Sequence, residues 1–388
     1  MLRAIFKSSR NQDGLERRPA ANDPLQANAA LDAYNRDSQF PPVTDAGAVP
    51  TFKYPFSFAH KRMHEGGWSH EVTVRELPIA KDLAGVLMRL TPGGVRELHW
   101  HNAAEWAMVL YGSARITAVD ADGKSFVADV AEGDLWFFPP GIPHSIQGLK
   151  PAGTKFLLVF DDGNFSEYET VLLSDWMAHT PRAILAKNFG VPTRTLERMP
   201  KEELFIFQAE VPGPLEKDQR AAAGPLGISA SDFAFRVSQP AVSKRTPWGE
   251  VRIIDSRTFK VSNTVASALV TIKPGGMREL HWHPLADEWQ YHIAGQGRMT
   301  VFTSGGRART MDFQAGDVGY VTKPLPHYVE NTGDTDLQFL EMFKSDRFQE
   351  LSLSKWLTHT PPELVMAHLD IDRQTLNKIP REGLVLTG

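Results

Sequence analysis

Two stretches of the chain repeat each other almost letter for letter. Residues 92–106 read PGGVRELHWHNAAEW and residues 274–289 read PGGMRELHWHPLADEW. A second matched pair follows, GDLWFFPPGIPHSI at 133–146 and GDVGYVTKPLPHYV at 316–329. His99 corresponds to His281 at an offset of 182, and His144 to His327 at an offset of 183. Solenoid repeats have periods of roughly 20–50 residues, so this offset indicates two tandem domains in the 388-residue chain.

The segments around these motifs are typical of short antiparallel strands. Runs such as AGVLMRLTP, EWAMVLYGSARITAVD and TKFLLVFDD are rich in β-branched and aromatic residues and are separated by Pro-Gly and Asp-Gly turns. This pattern predicts an all-β-dominated fold with two tandem jelly-roll β-barrels. Short helices are predicted after each barrel, at 174–199, where Ser174 is the expected N-cap and Pro181-Arg182 opens a second helix, and near 352–380.

The same patterns divide the chain along its length. Residues 1–50 show little periodicity and are predicted to form an arm, with a short helix at 24–36. The predicted divisions are an N-terminal arm at 1–50, a first barrel domain at 51–200, a linker with lead-in strands at 201–247, and a second barrel domain at 248–388.

Composition narrows the class of protein. The chain has no cysteine, so the fold does not depend on disulfides and thiolate metal ligands are excluded. A formal charge of −4 gives no basic surface for nucleic acid, and no apolar run approaches the roughly 18 residues of a membrane-spanning helix. The N-terminus does not resemble a secretory signal, so we expect a cytoplasmic protein with no nucleic-acid or membrane partner.

The repeated motifs supply the same ligand set twice. Residues two apart on a strand point to the same face, so His99 and His101 are expected to enter one barrel interior. A lone histidine is usually a structural core residue, but a matched set in both halves favours a metal site. The set has nitrogen and oxygen ligands only, which fits Mn or Fe better than Zn. The candidate ligands are His99, His101, Glu105 and His144 in the first half and His281, His283, Glu288 and His327 in the second.

The motif pair resembles the cupin signature. Residues 94–105 and 133–144 follow it in the first half, where Gly133, Pro139, Gly141 and His144 match the second motif, whereas the second half has Pro324-Leu325 in place of Gly141-Ile142. From about 51 to 380 the chain resembles the bicupin oxalate decarboxylases, through phrases such as RELHWH, GDLWFFPPGIPHSIQ and FLLVFDDGNFSE in the first half and EWQYHIAGQGRMTVF and HYVENTGD in the second.

This resemblance implies a function and a cofactor. The expected reaction is the Mn(2+)-dependent conversion of oxalate to formate and CO2, with one Mn per domain, two per chain, and O2 as a cofactor that is not consumed. It also implies a homohexamer built as two stacked trimers. Arg96 and Arg278, three residues before the first histidine of each set, match the substrate-binding arginine of the family. The guanidinium fork suits a small dicarboxylate, and the alternative is a surface ion pair with Glu97 or Glu279.

The resemblance also implies two acids. Residues 161–170 resemble the active-site lid of the family, and Glu167 matches the lid acid that protonates carbon after CO2 leaves. Tyr168 and Glu169 depart from the Ser-Glu-Asn-Ser-Thr sequence usual in the family. The second half has no such acid in the equivalent loop, but Glu341, aligned with Leu158, resembles the second-site acid.

Three other functions remain compatible with the sequence. Oxalate oxidase activity, which gives CO2 and peroxide, could arise on the same scaffold if carbon protonation fails. A non-enzymatic storage or sugar-binding bicupin is a second alternative, although such proteins generally lack a full ligand set. An iron-dependent cupin dioxygenase or isomerase is a third. Formate against peroxide as the product of oxalate, with metal content measured on the same sample, separates them.

Overall fold

The computed structural model describes residues 15–17, 28–166, 170–236 and 242–388. Glu167, Tyr168 and Glu169 lie outside these residues, as do residues 24–27 of the helix predicted in the arm. The chain groups into two compact units. The first-domain unit contains 58–240 and 255–265, and the second-domain unit contains residues up to 57, 241–254 and 266–388.

The described residues up to 57, here called the arm, belong to the second-domain unit. The arm contains α1 (Ala29–Tyr34), α2 (Arg36–Gln39) and β1 (Lys53–Pro55). Asn28 caps α1 because its side chain accepts a hydrogen bond from the Leu31 amide. Strand β1 pairs antiparallel with residues 317–319. The predicted boundary at residue 51 assigned this strand to the first domain, whereas its pairing partner lies in the second half of the chain.

The first-domain unit is a barrel of antiparallel strands followed by short helices. Its strands are β2 (Lys61–His64), β3 (Gly67–Val72), β4 (Ala84–Leu90), β5 (Gly94–Trp100), β6 (Glu105–Val119), β7 (Ser125–Ala131), β8 (Leu135–Phe138), β9 (His144–Gly148), β10 (Thr154–Phe160), β11 (Val171–Leu172), β12 (Ile206–Gln208) and β13 (Ala234–Phe235). Its helices are α3 (Leu173–Ala178), α4 (Arg182–Phe189) and α5 (Leu215–Ala223).

The second-domain unit repeats this plan. Its strands after β1 are β14 (Lys244–Thr246), β15 (Gly249–Ile254), β16 (Val265–Ile272), β17 (Met277–Trp282), β18 (Glu288–Ala294), β19 (Gln296–Thr303), β20 (Arg307–Gln314), β21 (Asp317–Val321), β22 (His327–Asn331), β23 (Leu337–Lys344), β24 (Leu351–Ser352) and β25 (Leu386–Thr387). Its later helices are α6 (Leu353–Thr358), α7 (Pro362–Leu369) and α8 (Arg373–Leu376). The predicted fold class, two tandem β-barrels each followed by short helices, is confirmed.

Each barrel turns a corner at a glycine. The front of β6 pairs with β8 and β10, and its last seven residues pair with β7 and β9, so the chain changes sheets near Gly112. Gly112 has a φ of +74°, and a Cβ there would lie 2.0 Å from the carbonyl oxygen of Gly153. Gly295, with a φ of +79°, separates β18 from β19 at the corresponding place. A side chain would be strained at either corner.

Several barrel strands are buried along their whole length, as β8 and β21 are. The first core contains large fully buried rings such as Trp136, Phe138 and Phe156. One sequence prediction is wrong in this unit: Ser174 lies inside α3, whose N-cap is Leu172. The Ser174 hydroxyl instead donates to the Glu97 carboxylate at 3.0 Å, which attaches the helix to β5. In the described part of the chain, no helix is long and apolar enough to cross a membrane.

Two candidate metal centres

The first predicted ligand set meets inside the first barrel. His99 lies near the end of β5, His101 directly after that strand, Glu105 begins β6 and His144 begins β9. His99 and His144 are cross-strand partners. One ligand atom from each of the four residues lies within 4.8 Å of every other, and all four side chains are buried. Three strand ends therefore converge on one point.

The second set meets in the same way in the second barrel. His281 and His327 are cross-strand partners on β17 and β22, His283 follows β17, and Glu288 begins β18. The second set has one more residue between His283 and Glu288 than the first has between His101 and Glu105, and the turn between β17 and β18 accommodates it. These four ligand atoms also lie within 4.8 Å of one another.

The imidazoles are oriented by backbone carbonyls. The Nδ1 atom of His99 lies 2.6 Å from the carbonyl oxygen of Glu97, and those of His101 and His144 lie 2.6 and 2.7 Å from the carbonyls of Ala103 and Ile142. A proton on Nδ1 donates to each carbonyl and leaves the Nε2 lone pair directed toward the other ligands. In the second barrel, the Nδ1 atoms of the three histidines face carbonyl oxygens in the same way.

The ligand atoms fit a bound cation. The Nε2 atoms of His281, His283 and His327 and the Oε2 atom of Glu288 are buried and have no hydrogen-bond partner outside their own ligand set, and the same is true of Nε2 of His144. A buried polar atom without a partner costs about 1–3 kcal/mol, and a divalent ion would satisfy all of these atoms together. Three imidazoles and one carboxylate form the N/O donor set of a borderline-to-hard transition metal such as Mn(II).

Electrostatics favour the metal-binding protonation state of several ligands. Burial, with the nearby Arg96 guanidinium, holds the pKa of His99 well below its usual range, so this imidazole is neutral. Burial raises the pKa of Glu105, but His144 and His101 outweigh it and lower the pKa, so the carboxylate is ionised. Burial and Arg278 likewise lower the pKa of His281.

Both predicted arginines enter their barrels because of a β-bulge. Positions i and i+3 of a regular strand face opposite sides, so spacing alone would place Arg96 away from His99. The pairing of β5 with β9 shifts register between these two residues, and β17 has the same shift between Arg278 and His281. Arg96 is 3% exposed and Arg278 is 0% exposed. The alternative that they are surface residues is therefore wrong.

Two carboxylates bind Arg278. Its Nε donates to the Glu341 carboxylate at 3.2 Å, and a terminal nitrogen donates to Glu350. Another terminal nitrogen donates to the carbonyl of Val385 at 3.2 Å. Burial raises the pKa of Glu341 to about 7, an effect that Arg278 opposes. Sequence reasoning missed Glu350.

A different set of groups surrounds the first-domain arginine. Leu158 lies opposite Ala107 across β10 and β6, as Glu341 lies opposite Gln290 across β23 and β18, so Leu158 occupies the place of Glu341. The Nη1 atom of Arg96 donates to the carbonyl of Phe205 at 3.2 Å. The first centre therefore has an aliphatic residue where the second has an acid.

The loop after the last barrel strand is three residues longer in the first domain. Phe165 corresponds to Phe348 at an offset of 183, whereas Ser174 corresponds to Ser354 at an offset of 180. The rings of Phe165 and Phe348 contact His101 and His283 respectively, with centroids 5.7 and 5.8 Å apart. The decrease of the offset from 183 to 180 indicates in the sequence that the corresponding loop of the second domain is shorter and differs in its residues, which include Glu350.

The predicted lid acid lies within this longer loop. Glu167 is outside the described residues, but both ends of its loop are described. The Phe165 ring is stacked on Phe160 beside His101. At the other end, Leu172 pairs with His99 across β11 and β5. The segment that contains Glu167 therefore starts and finishes next to the first centre.

The donor to each metal-site carboxylate also differs. In the first domain the indole nitrogen of Trp136 donates to Glu105 at 2.8 Å. In the second, the side-chain amide of Gln290 donates to Glu288 at 2.7 Å. Sequence reasoning singled out neither donor.

The two donors lie on opposite members of the corresponding strand pair: Trp136 is on β8, whereas Gln290 is on β18, the counterpart of β6. Ala107 is the cross-strand partner of Trp136, and Gln290 is the cross-strand partner of Gly319. A Cβ on Gly319 would lie 3.0 Å from the Gln290 side-chain oxygen. The small residue of each pair makes room for the donor opposite it.

Comparison with known proteins places both barrels in one family. The sequence profile of the cupin family matches residues 58–196 and 235–377. The chain is 52% identical over 360 residues to oxalate decarboxylase OxdC of Bacillus subtilis (strain 168), covering 92% of both chains. It is 41% identical over 344 residues to a probable oxalate decarboxylase of Arthroderma benhamiae, covering 88% of this chain and 84% of the relative.

Solved structures agree with these matches. A structure of Bacillus subtilis oxalate decarboxylase at pH 4.6 superimposes with a TM-score of 0.91 at 50% identity, covering 95% of each chain. Another structure of that enzyme, from a study of its Mn(II) centres, has the same TM-score and identity and covers 95% of this chain and 96% of the other.

Proposed function

Because the chain belongs to the cupin family, as a two-domain relative of the oxalate decarboxylases, we propose that it is a manganese-dependent enzyme that converts oxalate to formate and CO2. The observation that carries this proposal is the pair of complete His3Glu sets, each with a buried arginine brought in by a bulge. A storage or sugar-binding bicupin has no need for two complete sets.

Each centre holds one Mn(II). His99, His101, Glu105 and His144 bind the ion of the first domain, and His281, His283, Glu288 and His327 bind that of the second. When bound, manganese supplies a Lewis acid for the substrate carboxylate and one-electron redox chemistry, for which O2 is the proposed cofactor. Burial lowers the pKa of His99, His101 and His281, so these imidazoles stay neutral and able to bind a metal.

Arg96 orients the substrate beside the first centre. Its guanidinium is buried near His99, and this proximity contributes to the low pKa of that histidine. A planar fork with two parallel N–H donors matches one carboxylate of oxalate. Because that carboxylate is held in one orientation, the carbon–carbon bond of oxalate has a fixed position relative to the metal and the proposed acid.

Glu167 supplies the proton. Once CO2 has left, the remaining carbon needs one proton to become formate, and Glu167 lies in a loop whose two ends are fixed beside His101 and His99. Closure of this loop would also exclude water from the site. Arg96 and Glu167 therefore assign turnover to the first domain.

The second centre serves mainly to hold its metal and its domain together. Arg278, predicted as a substrate-binding residue, is engaged by Glu341 and Glu350. An incoming oxalate would have to displace a carboxylate from a fully buried guanidinium. Catalysis by Glu341 stays a prediction, which gains support only if the first domain proves dispensable.

Oxalate oxidase is the second candidate activity. Tyr168 and Glu169 flank the proposed acid and depart from the usual lid sequence of the decarboxylases. If the lid protonates carbon slowly, the one-electron-oxidised fragment would lose a second electron and give CO2, with O2 reduced to peroxide. Peroxide is therefore expected as a side product.

The proposed assembly is a homohexamer of two stacked trimers in the cytoplasm. Large apolar side chains on the short helices after each barrel support association through these helices. Trp176, Ile184 and Phe189 in the first-domain unit are 53%, 56% and 49% exposed, and Trp356 and Leu364 in the second are 61% and 60% exposed. Light scattering should give a mass about six times the 43.2 kDa of one chain.

One experiment tests the activity directly. Mn-loaded protein is incubated with oxalate at mildly acidic pH, and formate, CO2 and peroxide are measured against the metal content of the same sample. The proposal expects nearly stoichiometric formate and CO2 with up to two Mn per chain. Absence of formate, or stoichiometric peroxide, would refute decarboxylation as the main activity.

A further inference from the structure

A strained residue contacts the arginine of each domain. Three non-glycine residues in the described part of the chain have positive φ angles: Phe205 at +55°, Asp370 at +53° and Val385 at +59°. Asp370 is the C-cap of α7, where a left-handed residue is common. Phe205 and Val385 are instead related by an offset of 180, and both are buried. A side chain makes this conformation unfavourable, so its occurrence at both places points to function.

Hydrogen bonds hold Phe205 in this conformation. Its amide donates to the Glu97 carboxylate at 2.6 Å, and the Glu97 amide donates to its carbonyl at 3.1 Å. The same carbonyl accepts a hydrogen bond from Arg96 at 3.2 Å. Val385 makes the corresponding bonds with Glu279, at 2.8 and 3.0 Å. The residue after each arginine therefore fixes the carbonyl that the arginine binds.

The ring distinguishes the two domains. The guanidinium carbon of Arg96 lies 4.1 Å from the centroid of the Phe205 ring, a cation–π distance. The same ring is contacted by the Arg62 guanidinium at 3.5 Å, and Arg62 forms an ion pair with Glu203. Val385 has no ring, and Arg278 is bound by carboxylates instead. An aromatic face orients a guanidinium without adding a negative charge beside it.

We propose that Phe205 is a positioning residue that fixes the plane of the Arg96 guanidinium through its ring and its carbonyl, so that the fork faces the carboxylate of oxalate at the first centre. This inference rests on the proposed role of Arg96 in substrate binding. In the second domain, the Val385 backbone makes the same hydrogen bonds, but its side chain has no ring.

Fluorination of the Phe205 ring tests the proposal because it changes the charge distribution of the ring and leaves its shape nearly unchanged. Incorporation of 3,4,5-trifluorophenylalanine at position 205 makes the ring face less negative and weakens cation–π attraction. We expect KM for oxalate to rise about fivefold, with kcat within about twofold of wild type, because substrate is bound by a less ordered arginine. Phe205→Leu should raise KM by at least as much. If Phe205→Leu does not fold, the fluorinated protein still decides the question.

A matched control uses another buried phenylalanine of the same unit. Phe259 packs on Phe235 with centroids 5.0 Å apart, and the same fluorinated residue there should leave KM and kcat unchanged. Fluorination at 205 is also repeated with Arg62→Gln. If the ring acts through Arg96 the rise in KM persists, and if it disappears the ring acts through Arg62 and the proposal is overturned.

The remaining outcomes are distinct. An unchanged KM for the fluorinated protein, together with impaired Arg96→Lys, would overturn this inference and leave the proposed function intact. If wild-type protein makes no formate from oxalate, or Arg96→Lys turns over normally, the proposed function or the role of Arg96 fails first. A fall in kcat alone, at unchanged KM, would indicate a merely structural ring and would also overturn the inference.

Discussion

The two centres have the same metal-ligand residue types, but different groups contact their arginines. Arg278 is neutralised by Glu341 and Glu350, whereas Arg96 is contacted by the ring and carbonyl of Phe205, with Leu158 in the place of the acid. Two carboxylates bound to one guanidinium stabilise a closed site, whereas a ring and a carbonyl orient a guanidinium without adding negative charge. Duplication therefore conserved the metal geometry while the surroundings of one arginine changed its use.

The largest effect on the difference between the two centres is expected from removal of the proposed acid of the first domain, Glu167. Glu167→Ala should lower formate production at least about a hundredfold, because general acid catalysis contributes roughly 10²–10⁴. Both metals should remain bound, and peroxide should increase. Formate and peroxide assays with metal analysis check this. Near-normal formate output would transfer the role of leading acid to Glu341.

The closed state of the second centre depends on Glu350. Glu350→Ala should destabilise the protein by about 3 kcal/mol, since removing one partner of a buried ion pair leaves an uncompensated charge. The free energy of unfolding is measured by chemical denaturation, with release of the metal from the second domain as the probe of that domain. The matched change Thr170→Ala, at the corresponding place in the first domain, should cost about 1 kcal/mol or less. Equal losses would mean that Glu350 does not close the site.

Paired substitution of the arginines sharpens the comparison. Arg96→Lys keeps the charge but loses the bidentate fork, and should reduce kcat/KM for oxalate at least about tenfold, or 1.4 kcal/mol. Arg278→Lys should affect turnover much less and should lower thermal stability instead. Steady-state kinetics and thermal unfolding of both variants check this. Equal kinetic losses would indicate two working sites and end the asymmetry.

The smallest expected effect concerns pH and the arm. Burial and a hydrogen bond with Asp37 of α2 raise the pKa of Asp312 on β20 to about 7. A raised pKa means that the folded state prefers the proton, so this contribution to stability is complete below about pH 4 and is lost as pH rises through 7. Asp312→Asn should therefore weaken the decline in melting temperature between pH 4 and 7. Asp129→Asn, at the corresponding position of the first domain, serves as the control, and an unchanged decline for Asp312→Asn would refute the assignment.

The sequence predicted the parts of the sites that depend on local periodicity. The two-residue spacing of His99 and His101 predicted a shared face, and the duplicated motifs predicted that His144 would join them. It could not predict that Arg96 shares that face, because a bulge depends on pairing with a distant strand. Nor could it identify Trp136, since its contact with Glu105 depends on which residue lies across the sheet. Long-range register decides such contacts.

The pairing of β1 with β21 inside the second-domain unit limits the order in which that unit can fold. Lys53 of β1 pairs with Gly319, which is synthesised 266 residues later. At roughly 5–20 residues per second, a ribosome needs on the order of ten to fifty seconds to make the intervening chain. Strand β1 therefore cannot form this pairing until the whole of the first-domain unit has been made. Its pairing is among the last strand contacts of its own unit to become possible.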